Sequence, residues 1–146
     1  MTTYSIDVAA DKIQEHIDEI PKAIEKALKL WAMEAKGEAK RDAPKSKLTE
    51  TNKNSGRLAS SIASNVSSED GVIIATIGTN VEYAPYNEYG TGDRGSNEYN
   101  GHVSEGVTFT GGWHGMDPHP YLRPRIYDDE TAIIASIADA IRSVFE

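Results

Sequence analysis

Three groups of residues carry side chains that could do chemistry. His102, His114, Asp117 and His119 supply three imidazoles and a carboxylate, which are donor types that zinc accepts. Zinc also needs those donors fixed in tetrahedral geometry by rigid elements. All four lie in a glycine-rich stretch, and no HExxH motif pairs two histidines on a helix. They are therefore expected to be exposed or structural. Gly90-Thr91-Gly92-Asp93-Arg94-Gly95 spells GxGxxG. A dinucleotide site needs that motif after a strand and at the start of a helix, whose N-terminus holds the pyrophosphate. Here tyrosines precede it and SNEYNGH follows without helical period, so a flexible glycine loop is expected. Ser60 and Ser61 fall in a strand-like segment, and the GxSxG elbow that exposes a nucleophile is missing. The carboxylates Asp128 and Asp129 sit where a helix should begin, a placement its dipole favours. No catalytic set, metal site or cofactor site is expected. The chain has no cysteine, which excludes disulfides, thiolate metal sites and cysteine nucleophiles.

The stretch VEYAPYNEYGTG, Val81 to Gly92, concentrates aromatic and hinge residues. Tyr83, Tyr86 and Tyr89 are spaced by three and would share one side of a helical turn. Such tyrosines can pack a core, or anchor a subunit interface, where tyrosine is enriched. Both readings stay open.

The elements that must position these residues can be read from period and punctuation. Ile13, Ile17, Ile20, Ile24, Leu28 and Trp31 fall on one stripe of a helix. Pro21 interrupts that stripe, so either two helices meet there or one helix kinks. From Pro21 to Arg41 helix formers dominate, and Ala43-Pro44 ends the run. Residues 44–56, PKSKLTETNKNSG, read as a flexible polar loop. Ile62, Ser64 and Val66 alternate as a strand would. Asp70-Gly71 is a hairpin signal, and Val72 to Ile77 reads as a well-buried strand. Tyr83 to Tyr89 reads as a short helical turn or an irregular knot. Residues 92–117 read as a long flexible loop, with one β segment expected around Val103 to Thr110. Ile133, Ile137 and Ile141 mark a last helix, with Asp128, Asp129 and Glu130 in its early turns. Asn65-Val66-Ser67 matches a glycosylation acceptor, but no secretion signal accompanies it.

The expected fold is α+β: a long N-terminal helix and a C-terminal helix packed on one face of a small antiparallel sheet, with long glycine-rich loops, in a single domain over residues 1–146. At 146 residues the chain can bury a modest core. Only 38% of its residues are hydrophobic, which favours long loops or completion in an oligomer. No apolar run is long enough to span a membrane. The net charge of −8 is unevenly placed. Residues 1–57 carry 11 Lys/Arg against 10 Asp/Glu, and residues 58–146 carry 4 against 13. The basic stretch from Lys36 to Arg57 could contact nucleic acid, or attach to the acidic part of a neighbouring subunit. No aromatics interleave its lysines as single-strand binding would require, which favours the second reading.

Three blocks, in order, give a more specific reading. Ser55-Gly56-Arg57-Leu58-Ala59-Ser60-Ser61-Ile62, preceded by Ala43-Pro44, resembles the TGRLRxSI stretch of a family of neck, tail-completion or head–tail joining proteins of long-tailed phages and prophages. Ile77 to Gly92, containing Gly78, Tyr83, Ala84, Tyr86, Glu88, Tyr89 and Gly90, is similar to that family's VGTNVxYAxYxExGTG block. Pro118 to Ile126, containing Pro120, Leu122, Arg123 and Pro124, resembles its PxPFLRPAL block. The loop before Gly56 is longer than the usual APVDTG. Tyr121 stands where Phe is common, and Arg125 where a small residue is. The resemblance implies a structural virion protein and not an enzyme. It implies a ring, expected to be a hexamer, at the head–tail junction, contacting other neck and tail proteins, with DNA only as transiting cargo. Assembly would take place in the host cytoplasm and the product would sit in the virion, away from membranes. A tail terminator capping the tube is the alternative. Within this frame, Tyr83 to Gly92 would be a packed turn, with φ fixed at Pro85, that releases the chain through Gly90 and Gly92. Arg123 would pair with a carboxylate such as Glu88, within or between subunits.

Overall fold

The computed structural model describes residues 6–45 and 56–146, with side chains in the first helix described from Gln14 onward. The first helix, α1 (Ile6–Asp42), runs unbroken through Pro21. At 1.5 Å per residue it is about 55 Å long. A short helix α2 (Arg57–Ser61) leads into a hairpin of β1 (Ala63–Glu69) and β2 (Val72–Gly78). Then come α3 (Ala84–Tyr89), a 3-10 turn at Gly92–Arg94, and a small hairpin of β3 (Glu98–Tyr99) and β4 (His102–Val103). Two helices close the chain, α4 (Arg123–Tyr127) and α5 (Glu130–Ser143). The α+β class, with long terminal helices and a small antiparallel sheet, is the expected one.

The main hairpin pairs Glu69 with Val72 and Ala63 with Gly78 in unbroken register. Its two-residue turn holds Asp70 at φ 50 and Gly71 at φ 78. Positive φ at both central positions gives a turn whose twist matches the strands. Helix α1 packs across both strands, while α5 packs chiefly on α1.

The core gathers where the end of α1 meets α2 and α3. Ala32, Ala35 and Ala39 line one stripe of α1 and Ala43 follows its end, and each is at most 3% exposed. The small side chains of Ala39 and Ala43 admit Leu58 and Ile62 from α2 and its C-terminus, Val81, Ala84 and Tyr121. The isoleucine stripe is the lesser contributor. Ile17 is 51% exposed, and Ile20, Ile24, Leu28 and Trp31 are half-buried. Ile13 lies outside the described side chains.

Four local expectations need correction. Ser60 and Ser61 are helical, because Gly56 at φ 90 starts a turn that both serines continue by bonding back to the carbonyls of Arg57 and Leu58. Strand β2 is not buried on both faces: among the described residues α1 is the main element packed on it, and Val72 and Ile74 stay exposed. The stretch Val103 to Thr110 is not one β segment: β4 ends at Val103, and residues 104–110 form no strand. Tyr83 and Tyr86 do not pack the core, since both face solvent. The loop read at 44–56, with Lys47 and Lys53, falls outside the described residues except at Pro44, Lys45 and Gly56.

Candidate functional site: a buried carboxylate–guanidinium clamp

The densest polar arrangement joins α3 to the start of α4. Glu88 sits on the inward side of a helix begun by Pro85 in its first turn, where the fixed φ of proline suits helix entry. Its carboxylate is almost fully buried. One oxygen, Oε2, accepts from the backbone N–H groups of Tyr121 (2.8 Å) and Leu122 (3.0 Å). The other, Oε1, accepts from the backbone N–H and the Nε of Arg123, both at 3.0 Å. Arg123 is equally buried. Its Nη2 donates to the Glu88 carbonyl at 2.5 Å, and its Nη1 donates to the Glu98 carbonyl at 3.2 Å. The guanidinium lies 4.4 Å from the centre of the Tyr89 ring and 5.6 Å from that of Tyr99, within cation–π range. The pair therefore forms inside one chain.

Burying two charges is costly unless nearly every donor and acceptor is used. Here both carboxylate oxygens and the three guanidinium nitrogens of Arg123 are engaged. The clamp ties together α3, β3 and α4, which are distant in sequence. Beside it Tyr121 is the largest fully buried side chain among the described residues, and its hydroxyl has no hydrogen-bond partner among them. Burial, and then the nearby Glu88, raises the Tyr121 pKa above the usual 10.0.

A second lock closes the glycine-rich excursion. Thr91 and Met116 exchange backbone hydrogen bonds at 2.9 and 3.1 Å. Gly90, at φ 73, and Gly115, at φ 69, allow this close approach. A Cβ on Gly90 would lie 2.4 Å from the Met116 carbonyl oxygen, and one on Gly115 would lie 1.8 Å from that of Thr91. The GxGxxG residues thus line a backbone contact and do not run from a strand into a helix. Asn100-Gly101, at φ 47 and 82, turns the β3–β4 hairpin. That Asn-Gly pair is a strong hairpin signal, masked in the sequence by the many glycines around it. Asp128 holds this hairpin, accepting from the Tyr99 hydroxyl at 2.6 Å and from Asn100 Nδ2 at 2.9 Å. The Asp128 bond is the main reason that the Tyr99 pKa is raised.

The four residues considered for a metal are placed apart in role. His102 stacks on Tyr127 at 4.0 Å, and Asp117 pairs with Arg94 at 2.9 Å. Among the described residues no three His, Cys, Asp or Glu side chains form a metal-binding group. Of the motif residues, Leu58, Ile62, Ala84, Glu88, Gly90 and Arg123 are buried. Gly56, Gly78, Tyr89, Pro120, Leu122 and Pro124 are half-buried, and Arg57, Tyr83 and Tyr86 are exposed. Arg125 reaches back to α1 and pairs with Glu38, a contact with no sequence signal of its own.

A long helix laid across a hairpin, with the buried Glu88–Arg123 pair bracing α3 against α4, defines a small α+β protein organised around an internal clamp. The chain belongs to the HK97-gp10-like family, described as "Bacteriophage HK97-gp10, putative tail-component", whose model matches residues 7–90, more than half of the chain. The match ends at Gly90, so it includes Glu88 but not Arg123. No curated protein and no solved structure matches the chain. No helix among the described residues is long and apolar enough to cross a membrane.

Proposed function

We propose that this chain is a structural component of the head–tail junction of a tailed phage or prophage, built into a ring through which the genome passes, and that it catalyses no reaction. The membership in a phage tail-component family carries the reading. Two features support the finer placement. The body from Leu58 onward is strongly acidic, and a lumen of that sign would repel passing phosphates. The exposed Tyr83, just before α3, and Tyr86 on it are residue types suited to contact with a neighbouring subunit or tail protein.

The test is a nonsense mutation in this gene within the phage that carries it. Filled heads and full-length tails should accumulate unjoined, and adding the purified protein to the lysate should restore joined, infectious particles. Normal joined particles from the mutant would overturn the proposal.

A further inference from the structure

The main hairpin is unusual in what it leaves open. Helix α1 covers one face, and among the described residues the sheet has two strands, so each keeps an edge with no described strand beside it. Natural proteins protect such edges with lysine, proline or bulges. Neither ASNVSSE nor VIIATIG contains a lysine, arginine or proline, and the register has no bulge. On the outer face Val72 is 58% and Ile74 44% exposed. An unprotected edge beside the exposed, β-branched Val72 and Ile74 is a template for another strand.

The charges indicate which strand fits. The tip of the hairpin carries exposed Glu69 and Asp70. Its base is joined to α2, where Ser61 Oγ lies 2.5 Å from Thr79 Oγ1, and α2 starts at the exposed Arg57. Lys45 is exposed just after α1, and neither it nor Arg57 forms an ion pair among the described residues. Seven strand residues separate tip from base, about 20 Å at 3.3 Å per residue. Two hairpins side by side with tips together would set acidic tip against acidic tip. Two hairpins in opposite directions set each acidic tip against the other's basic base.

We infer that the edge of β2, over Val72–Thr76, is a self-docking site at which a second copy of this chain pairs its own β2 antiparallel across a two-fold axis at Ile74. Four strands then form one sheet, and Val72 and Ile74 of both copies make one apolar strip. The two-residue turn makes Glu69 and Val72 a hydrogen-bonded pair, so by alternation Ile73 and Ala75 turn their N–H and C=O groups outward. Those groups are available to the partner strand. The pairing is isologous and closes at two copies. It is independent of the head–tail ring, which would need a different, head-to-tail contact.

The full chain contains no cysteine, so one introduced thiol is a clean reporter. Ile74→Cys should oxidise to a covalent dimer in high yield, because the axis sets the two thiols opposite each other. Asn65→Cys, exposed on the same face of β1, should give at least tenfold less. Light scattering of the unmodified chain should give twice 15.9 kDa, and the dimer fraction should fall in high salt as the tip-to-base attraction is screened. A monomer at every concentration, or equal cross-linking of both variants, would overturn the inference. A larger closed ring without the Ile74 cross-link would also overturn it, while leaving the head–tail reading intact.

Discussion

Glu88 and Arg123 bind each other inside the protein, so removing either leaves a buried charge without its partner. Loss of one member of such a pair costs about 3–5 kcal/mol. Glu88→Ala and Arg123→Ala should each lower stability by that order in urea denaturation. The double variant should lose markedly less than the sum, because the pair fails as a unit. Additive losses would show that the contact is not coupled. Arg123→Lys should rescue little, since one ammonium cannot reach the Glu88 and Glu98 carbonyls together. Tyr121 gives the opposite prediction. Its buried hydroxyl has no partner among the described residues, which costs about 1–3 kcal/mol, so Tyr121→Phe should be neutral or stabilising. Its pKa is raised in the folded state. A raised pKa contributes stability that is fully present below the unfolded value near 10.0 and is lost as pH rises toward the folded value. Alkaline unfolding should therefore begin above pH 10, and Tyr121→Phe should shift its onset upward, as read by circular dichroism against pH. Gly115→Ala should cost at least about 1–3 kcal/mol, because the added carbon would overlap the Thr91 carbonyl.

The elements differ in how firmly they are held, and in how visibly the sequence announces them. Helix α5 has no buried residue and borders a crevice of about 630 Å³ against α1, lined by Ala27, Trp31 and Ile133. Opening free energy follows buried contact, so amides of α5 should exchange with deuterium well before those of residues 35–43. Equal protection of the two segments would contradict this. The α1 and α5 helices and the main hairpin are legible because each has a period or a turn signal: isoleucines three and four apart, or Asp70-Gly71. Helix α2 is not, because Ser60 and Ser61 have no strong propensity and their helical state depends on bonds back to Arg57 and Leu58. The core face of α1 is also hard to read. Alanine counts weakly in any apolar period, yet Ala39 and Ala43 share one core cluster with Leu58, Ile62 and Tyr121. In the stretch from Gly90 to Pro118 side-chain period is lost, since its closure rests on the Thr91–Met116 backbone pair and on scattered polar contacts such as Arg94–Asp117. The clamp is half legible: the residue types at Glu88 and Arg123 suggest a pair, but only the fold shows that three backbone N–H groups converge on the same carboxylate.

At the scale of the whole molecule, charge separates a protein that guides DNA from one that holds it. The basic stretch from Lys36 to Arg57 is the only part of the sequence that invites a nucleic-acid reading. Within the described residues part of that charge is already balanced: Arg41 pairs with Glu38 and Asp42, and these acids lie on the same helix. The rest of the chain, at 13 Asp/Glu to 4 Lys/Arg beyond Arg57, repels phosphate. Each phosphate that a protein neutralises on duplex DNA adds about 0.9 to the slope of log affinity against log salt. A surface that only lets DNA pass should therefore show weak binding with a slope near zero between about 50 and 200 mM salt. Fluorescence anisotropy with a labelled duplex checks this directly. Tight binding with a slope of several units would mean that the basic stretch engages the backbone and that DNA is a ligand as well as cargo. Arg57→Glu should then lower the slope by about one unit. If DNA is cargo alone, the same substitution should leave DNA binding unchanged and instead weaken pairing between hairpins.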